Sequence, residues 1–252
     1  MNYYRVRKMT HKSYQTDPEA REALWHAVLK AADRLSGQCT AYVSSTLGKP
    51  VRVDGRMQLP EVPAWRLLEA LSLLAILLRA NKVITGKIFN LLGKTGPLQF
   101  VEDGNDRFLW AQPSISGEKS ALGGRPDLIV TSSSELPSAA SLLRVIECKC
   151  RNDIGTHEVR AEFGKAHDLR VTSYLIWSYN SPKPRIVEGA KRLGLDLCAL
   201  GFDTPQRESF IADPENLVAH VANTIHVSRT EQRFGKLFLT AGKEITAKIL
   251  PY

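Results

Sequence analysis

Residues 63–79, from Pro63 through Trp65, Leu67, Leu68 and Leu71 to Leu78 and Arg79, are apolar on nearly every face of a helix. Such a helix has to be covered on most sides, so it belongs inside a layered domain and not on its surface. Its uncharged stretch, 70–78, is too short to cross a bilayer. With 43% hydrophobic residues the rest of the chain can supply the covering layers. One member breaks the apolar pattern. A carboxylate at Glu69 must be paired or bind a cation, because a bare buried charge is very costly. Arg66, one turn earlier, is one available partner; a metal ion is another. Glu61, just ahead of the helix, reads as an ordinary helix-entry acid.

Two strand signatures follow. Residues 125–130, Arg-Pro-Asp-Leu-Ile-Val, are a short apolar run between Gly123-Gly124 and a serine cluster, and they carry Asp127. Residues 142–151, Leu-Leu-Arg-Val-Ile-Glu-Cys-Lys-Cys-Arg, form the second. Successive side chains of a strand point to opposite faces, so Glu147, Lys149 and Arg151 share one face and Ile146, Cys148 and Cys150 the other. The intervening 132–141, rich in Ser, Pro and Ala, is long enough for a hairpin. Asp127 and Glu147 are thereby expected side by side on antiparallel strands, with Lys149 one pleat further on. A surface strand alternating Glu and Lys toward water is the plain alternative. Against it, the flanking Val145, Ile146, Cys148 and Cys150 mark a central strand, where a charged face needs a purpose.

The remaining pattern is mixed α/β. A turn at Asp103-Gly104-Asn105 and a strand-like 108–111 precede the Asp127 strand. Val159, Phe163, Ala166 and Leu169 give helical spacing over 155–170, decorated by Arg160, Lys165 and Arg170. Residues 171–179 read as a buried strand, 186–193 as a helix closed by Gly194, and 195–200 as a last strand, an order that predicts a right-handed parallel crossover. Ahead of these lies a helix with Asp17 as cap, Pro18 in its first turn and Gly37 after its end, striped by Leu24, Val28, Ala31 and Leu35. Residues 41–44 and 51–53 look β-like; 214–225 predicts a helix and 236–239 an apolar stretch. No repeat or low-complexity linker interrupts the chain. The simplest organisation is an extension or small subdomain over 1–60, a core over 61–200, and a C-terminal extension over 201–252 packed on that core.

Two carboxylates and a lysine on neighbouring strands are the groups that phosphodiester hydrolysis needs. A hard cation such as Mg²⁺ takes oxygen ligands, is held by one or two carboxylates, and keeps positions for water and phosphate. It polarises the phosphoryl oxygen and lowers the pKa of bound water, while an ammonium beside it orients the water and balances phosphate charge. Pro126-Asp127 is the one Pro-Asp pair in the chain and Glu147-Cys148-Lys149 its one acid-x-Lys triplet. On these motifs the chain resembles the PD-(D/E)xK nuclease superfamily over 61–199.

The resemblance implies a restriction-endonuclease-like core: a helix, a three-stranded antiparallel meander, a second helix and a further strand. It implies Asp127, Glu147 and Lys149 as catalytic residues. Asp127, Glu147, the backbone carbonyl of Cys148 and Glu69 would ligate Mg²⁺, with Mn²⁺ as a substitute. Lys165, Arg160, Arg151 and Arg125 are the candidates for phosphate or nucleic-acid contact; for Lys165 and Arg160 a solvated helix face is the alternative. The implied activity is an endodeoxyribonuclease leaving 5′-phosphate and 3′-hydroxyl ends, similar to nuclease subunits of restriction and phage-defence systems. Such subunits work with a separate NTPase, and this chain has no GxxxxGK[ST] loop; a homodimer is a further expectation. The rival readings are a catalytically idle nuclease-fold module for nucleic-acid binding or assembly, and a nuclease for RNA or branched DNA.

Net charge +8 and a pI near 9.4 agree with a polyanionic partner, DNA first. Arg5, Arg7, Lys8 and Lys12, interleaved with Tyr3, Tyr4 and Tyr14, read either as a nucleic-acid-binding arm or as a frayed, soluble terminus. Four cysteines without CxxC spacing predict buried small hydrophobes and neither a disulfide framework nor a zinc site. The six histidines form no HExxH pattern, which disfavours a zinc hydrolase. The polar, basic start predicts a cytoplasmic protein with no membrane partner.

Overall fold

Asp17 caps the first helix, α1 (Pro18–Leu35): its Oδ1 accepts the amide of Ala20 at 3.0 Å. The computed structural model describes residues 17–35, 37–80, 82–83, 97–120, 123–149, 154–171 and 173–227. Arg151 and Cys150, the basic and tyrosine-rich residues 3–14, and the apolar stretch 236–239 lie outside them.

Gly37 falls after the end of α1, as expected, and also opens a second helix, α2 (Gly37–Leu47). The expected β-like 41–44 is therefore helical. Cys39, Val43 and Leu47 recur every fourth residue and are all buried, so packing of one helical face against α1 outweighs the strand preference of Thr40 and Val43. A small exposed hairpin, β1 (Val51–Val53) and β2 (Arg56–Gln58), then leads to α3 (Ala64–Leu78). Burial of Leu67, Leu68, Leu71 and Leu74 in α3 contributes about 1.5–3 kcal/mol for each side chain.

The sheet follows from period-two patterning. Its strands are β3 (Lys82–Val83), β4 (Leu98–Glu102), β5 (Asn105–Ala111), β8 (Leu128–Thr131), β9 (Leu142–Lys149), β10 (Tyr174–Ser178) and β11 (Asp196–Ala199), in spatial order β11-β10-β9-β8-β5-β4-β3. Between β5 and β8 the chain makes a separate two-stranded ribbon, β6 (Ile115–Ser116) with β7 (Gly123–Gly124). Strands β3 through β9 pair antiparallel, whereas β9, β10 and β11 run parallel. The expected strand at 108–111 is the end of β5, and a further strand, β4, precedes it. Asp103 (φ 50°) and Gly104 (φ 74°) form the two-residue turn between them, where left-handed backbone matches the strand twist.

Helices cover both faces of the sheet. After β9 comes α4 (Thr156–Leu169), after β10 α5 (Pro184–Arg192), and after β11 α6 (Gln206–Ala212) and α7 (Pro214–Val227). Leu128, Val130, Ile146, Leu175 and Trp177 pack with α1, α3 and α7 on one side. On the other, Ile129, Val145, Tyr174 and Ile176 pack with α4 and α5 through Val159, Ala166, Leu169, Ile186 and Ala190. Both N- and C-terminal helices thus share a core with α3, and Arg207 of α6 reaches Asp17 Oδ1 at 3.2 Å. The architecture is mixed α/β, a mixed sheet flanked by helices. Among the described residues no helix is long and apolar enough to cross a membrane.

Candidate active site

Strand register decides which charges meet. Leu128 pairs with Ile146 and Ile129 with Val145, so the same antiparallel register places Asp127 opposite Glu147. Asp127 itself lies one residue before β8, where its backbone carbonyl still accepts the Gln112 amide at 2.8 Å. Its carboxylate Oδ2 accepts the backbone N–H of Cys148 at 2.7 Å. The Cys148 side chain goes to the opposite face, with its Sγ 3.8 Å from Ser72 Oγ of α3. Glu147 is only 4% exposed, and Lys149 Nζ donates to its Oε2 at 2.7 Å. The alternation expected for 146–149 is the alternation observed.

Helix α4 closes the group from the second face. Lys165 Nζ lies 3.5 Å from Glu147 Oε1 and 3.0 Å from Glu162 Oε2. Glu162, 5% exposed, also takes Lys149 Nζ at 3.3 Å and the Tyr174 hydroxyl at 2.5 Å. Neither Glu162 nor Tyr174 was among the residues singled out by sequence. A signal existed: Glu162 sits three residues after Val159 and four before Ala166, on the buried stripe of its helix. Arg160 is exposed on α4. Arg125 is exposed at the margin, its guanidinium 3.5 Å from the Gln112 carbonyl.

Glu69 arrives from α3. Its Oε2 accepts the Gln112 side-chain amide at 3.3 Å, and burial, then the nearby charge of Asp127, favours its protonated form. Arg66, the expected ion-pair partner, acts on Glu69 only as a weaker stabilising charge. Gln112, a third residue not singled out by sequence, holds a left-handed backbone at φ 47°; strained positions of this kind gather at functional sites.

No family model, curated protein or solved structure matches this chain. The site has to be read from its own geometry.

Burial dominates its electrostatics. Glu69 is pushed up to about 8 by burial and then by the charge of Asp127. Burial raises Asp127 as well, against the Cys148 amide and Lys149, and raises Glu147 against Lys149. Burial disfavours the Lys149 ammonium, yet Glu147 and Glu162 outweigh it and hold the lysine well above its usual range. Glu162 goes the other way: burial is overcome by Lys149, the Tyr174 hydroxyl and Lys165, and its carboxyl is lowered. Three carboxyls, Asp127, Glu147 and Glu162, therefore act on two ammonium groups, Lys149 and Lys165, and a fourth, Glu69, stands beside Asp127. The acids are in excess. Among the described residues no three His, Cys, Asp or Glu side chains are drawn together as a metal cage, because Glu147 is turned to the lysines and Asp127 to the Cys148 amide. Even so, the donor set is all oxygen, the kind a hard divalent cation takes.

Proposed function

We propose that this protein is a metal-dependent endonuclease that hydrolyses DNA phosphodiester bonds and belongs with the PD-(D/E)xK, restriction-endonuclease-like proteins. The observation that carries this reading is Asp127 held on the Cys148 amide at 2.7 Å, next to Glu147, with Lys149 Nζ 2.7 Å from Glu147 Oε2. The helix, meander, helix and parallel strand around it run in the order that such a core requires.

Asp127, Glu147 and Glu69, with the Cys148 carbonyl, are the groups that would hold Mg²⁺ or Mn²⁺. When bound, the ion polarises the phosphoryl oxygen and acidifies a water. Lys149 is held protonated by Glu147 and Glu162, so it acts as a charged donor that orients the attacking water and does not itself take the proton. Water adds to phosphorus, the bond from phosphorus to the 3′-oxygen breaks, and the proton lost by the water ends through solvent on that oxygen. The products are a 5′-phosphate and a 3′-hydroxyl. Glu162, Tyr174 and Lys165 position Lys149 and Glu147. A role in restriction or phage defence, with a separate NTPase or other subunit or as a homodimer, is part of the same reading, as is a cytoplasmic setting.

One observation favours the second reading, a catalytically idle nuclease-fold module for nucleic-acid binding or assembly. The network of Lys149, Lys165, Glu147, Glu162 and Tyr174 is saturated by its own members, as a purely structural cluster would be. Cleavage assays on duplex, single-stranded and branched DNA and on RNA, with and without Mg²⁺, separate the two. Mg²⁺-dependent cutting that Asp127→Ala abolishes supports the nuclease; metal-independent binding with no cutting of any substrate supports the module.

A further inference from the structure

Beside the charged group lies a cleft of about 460 Å³, walled on one side by the ribbon carrying Lys119, Gly123 and Gly124 and on the other by Gly164, Lys165 and His167 of α4. Glu147 and Tyr174 form part of its lining, so it opens onto the candidate active site.

Its walls are fixed. Asp168, near the end of α4, accepts the Ser120 amide at 2.8 Å, the Ser120 hydroxyl at 2.6 Å and the Lys119 amide at 3.2 Å. The Asp168 carbonyl takes the Glu118 amide at 2.9 Å, and Arg170 pairs with Glu118 at 2.6 Å. Gly117 is required by this clamp: a Cβ there would stand 1.7 Å from Asp168 Oδ2. Lys119 Nζ bridges to His167 Nε2 at 2.9 Å.

Gly164 is different. A glycine inside a helix costs stability relative to alanine, yet no described atom lies within 4 Å of where its Cβ would be. Nothing within the fold demands a glycine there, and the same holds for Gly123. Both line the cleft, so the missing side chains leave room for something that approaches the backbone closely. Three basic side chains, Lys119, Arg125 and Lys165, line this room against two acids, Glu147 and Asp168, and Asp168 is taken up by the Lys119 and Ser120 amides and the Ser120 hydroxyl. His167 adds a ring on which a base can stack.

We propose that this cleft receives an unpaired stretch of the nucleic-acid strand next to the phosphate that reacts at Glu147 and Lys149. The inference rests on the nuclease reading for the position of that phosphate. A space of this size encloses a molecule of ordinary ligand dimensions, one or two nucleotides and not a duplex. Its lysines and arginine meet phosphates and its glycines leave room for bases. Substrates are accordingly single strands, or duplex ends and junctions that release one.

Fluorescence anisotropy of the full-length protein tests this, with single-stranded DNA, single-stranded RNA of the same sequence, and the DNA duplex, all in chelator so that nothing is cut. Gly164→Leu fills the cleft without touching a catalytic group, and Gly164→Ala controls for helix stability. Gly164→Leu is expected to weaken single-strand binding by about tenfold or more, the loss of roughly one stacked base, and to leave duplex binding within about twofold. The DNA and RNA arms show which sugar the cleft takes. If Gly164→Leu fails to fold, Lys119→Glu is expected to weaken single-strand binding selectively. Wild-type protein that binds no single strand, or a folded Gly164→Leu that binds like wild type, overturns the proposal. The nuclease reading fails separately: Gly164-dependent binding with no Mg²⁺-dependent cutting retains the cleft and removes the activity, whereas a Gly164→Leu protein that cuts single strands at the wild-type rate does the reverse.

Discussion

Lys149 Nζ lies 3.3 Å from Glu162 Oε1, which ties the lysine of a central strand to the helix that crosses behind it. Glu162 in turn accepts the Tyr174 hydroxyl, so strand, helix and neighbouring strand hold one ammonium in place. Removing the acid leaves a buried phenol and lysine short of a partner. Glu162→Ala is expected to cost about 2–4 kcal/mol in urea denaturation, and Glu162→Gln clearly less because it still accepts the phenol. If both variants lower nuclease rate in proportion to lost stability alone, Glu162 has no positioning role.

Acid titration of stability follows from the same residue. The Glu162 carboxyl is lowered in the folded protein from its ordinary value of 4.5, so its contribution is present above that value and is lost as pH falls through the folded pKa. Wild type should lose stability toward low pH more steeply than Glu162→Gln. Equal slopes for the two would contradict the assignment.

Glu69 gives the opposite sign. Its pKa is raised from 4.5 to about 8, so the folded state favours the protonated form. In chelator, its contribution should become less favourable as pH rises from about 4.5, levelling off above about 8. Glu69→Gln should flatten that decline. A cation that takes the place of the proton should bind more tightly as pH rises toward 8 and release protons on binding, which calorimetry in buffers of different ionisation enthalpy measures directly. Binding of Mg²⁺ with no proton release would count against Glu69 and Asp127 as ligands.

Part of this site is legible in the sequence, because alternation has a fixed period. Once 125–130 and 142–151 read as strands of one hairpin, the meeting of Asp127, Glu147 and Lys149 follows from which face each occupies. Glu162 escapes the same reasoning because a charged residue in a helix is assigned to water by default, although its spacing from Val159 and Ala166 puts it on the buried side. Gln112 escapes for another reason: its role comes from a left-handed backbone at a strand end, which nothing in the neighbouring residues announces. The helix α2 shows the limit of local preference. Residues 41–44 favour a strand on their own, and packing of Cys39, Val43 and Leu47 on α1 makes them a helix.

The ribbon clamp makes a local prediction. Gly117→Ala drives a methyl into Asp168 and disrupts its hydrogen bonds to Lys119 and Ser120, at a cost of about 1–3 kcal/mol. Hydrogen exchange of residues 115–120 should accelerate while the α1, α3 and α7 layer is unchanged. Uniform acceleration across the protein would show that the ribbon is not a separate unit.

At the N-terminal cap, Asp17 serves α1 and Arg207 together. Asp17→Ala should cost about 1–2 kcal/mol, and Asp17→Asn, which keeps the cap and loses the charge, less. Thermal melts of the two variants check the order; equal losses would assign the stability to the ion pair and not to the cap.

Cleavage of a labelled DNA panel by wild type, Asp127→Ala and Lys149→Ala at saturating Mg²⁺ tests the central claim most directly. The account predicts Mg²⁺-dependent cutting to 5′-phosphate ends by wild type and a loss of about a hundredfold or more in either variant. A folded wild-type protein that cuts none of the substrates, or a Lys149→Ala protein that cuts at the wild-type rate, would contradict it.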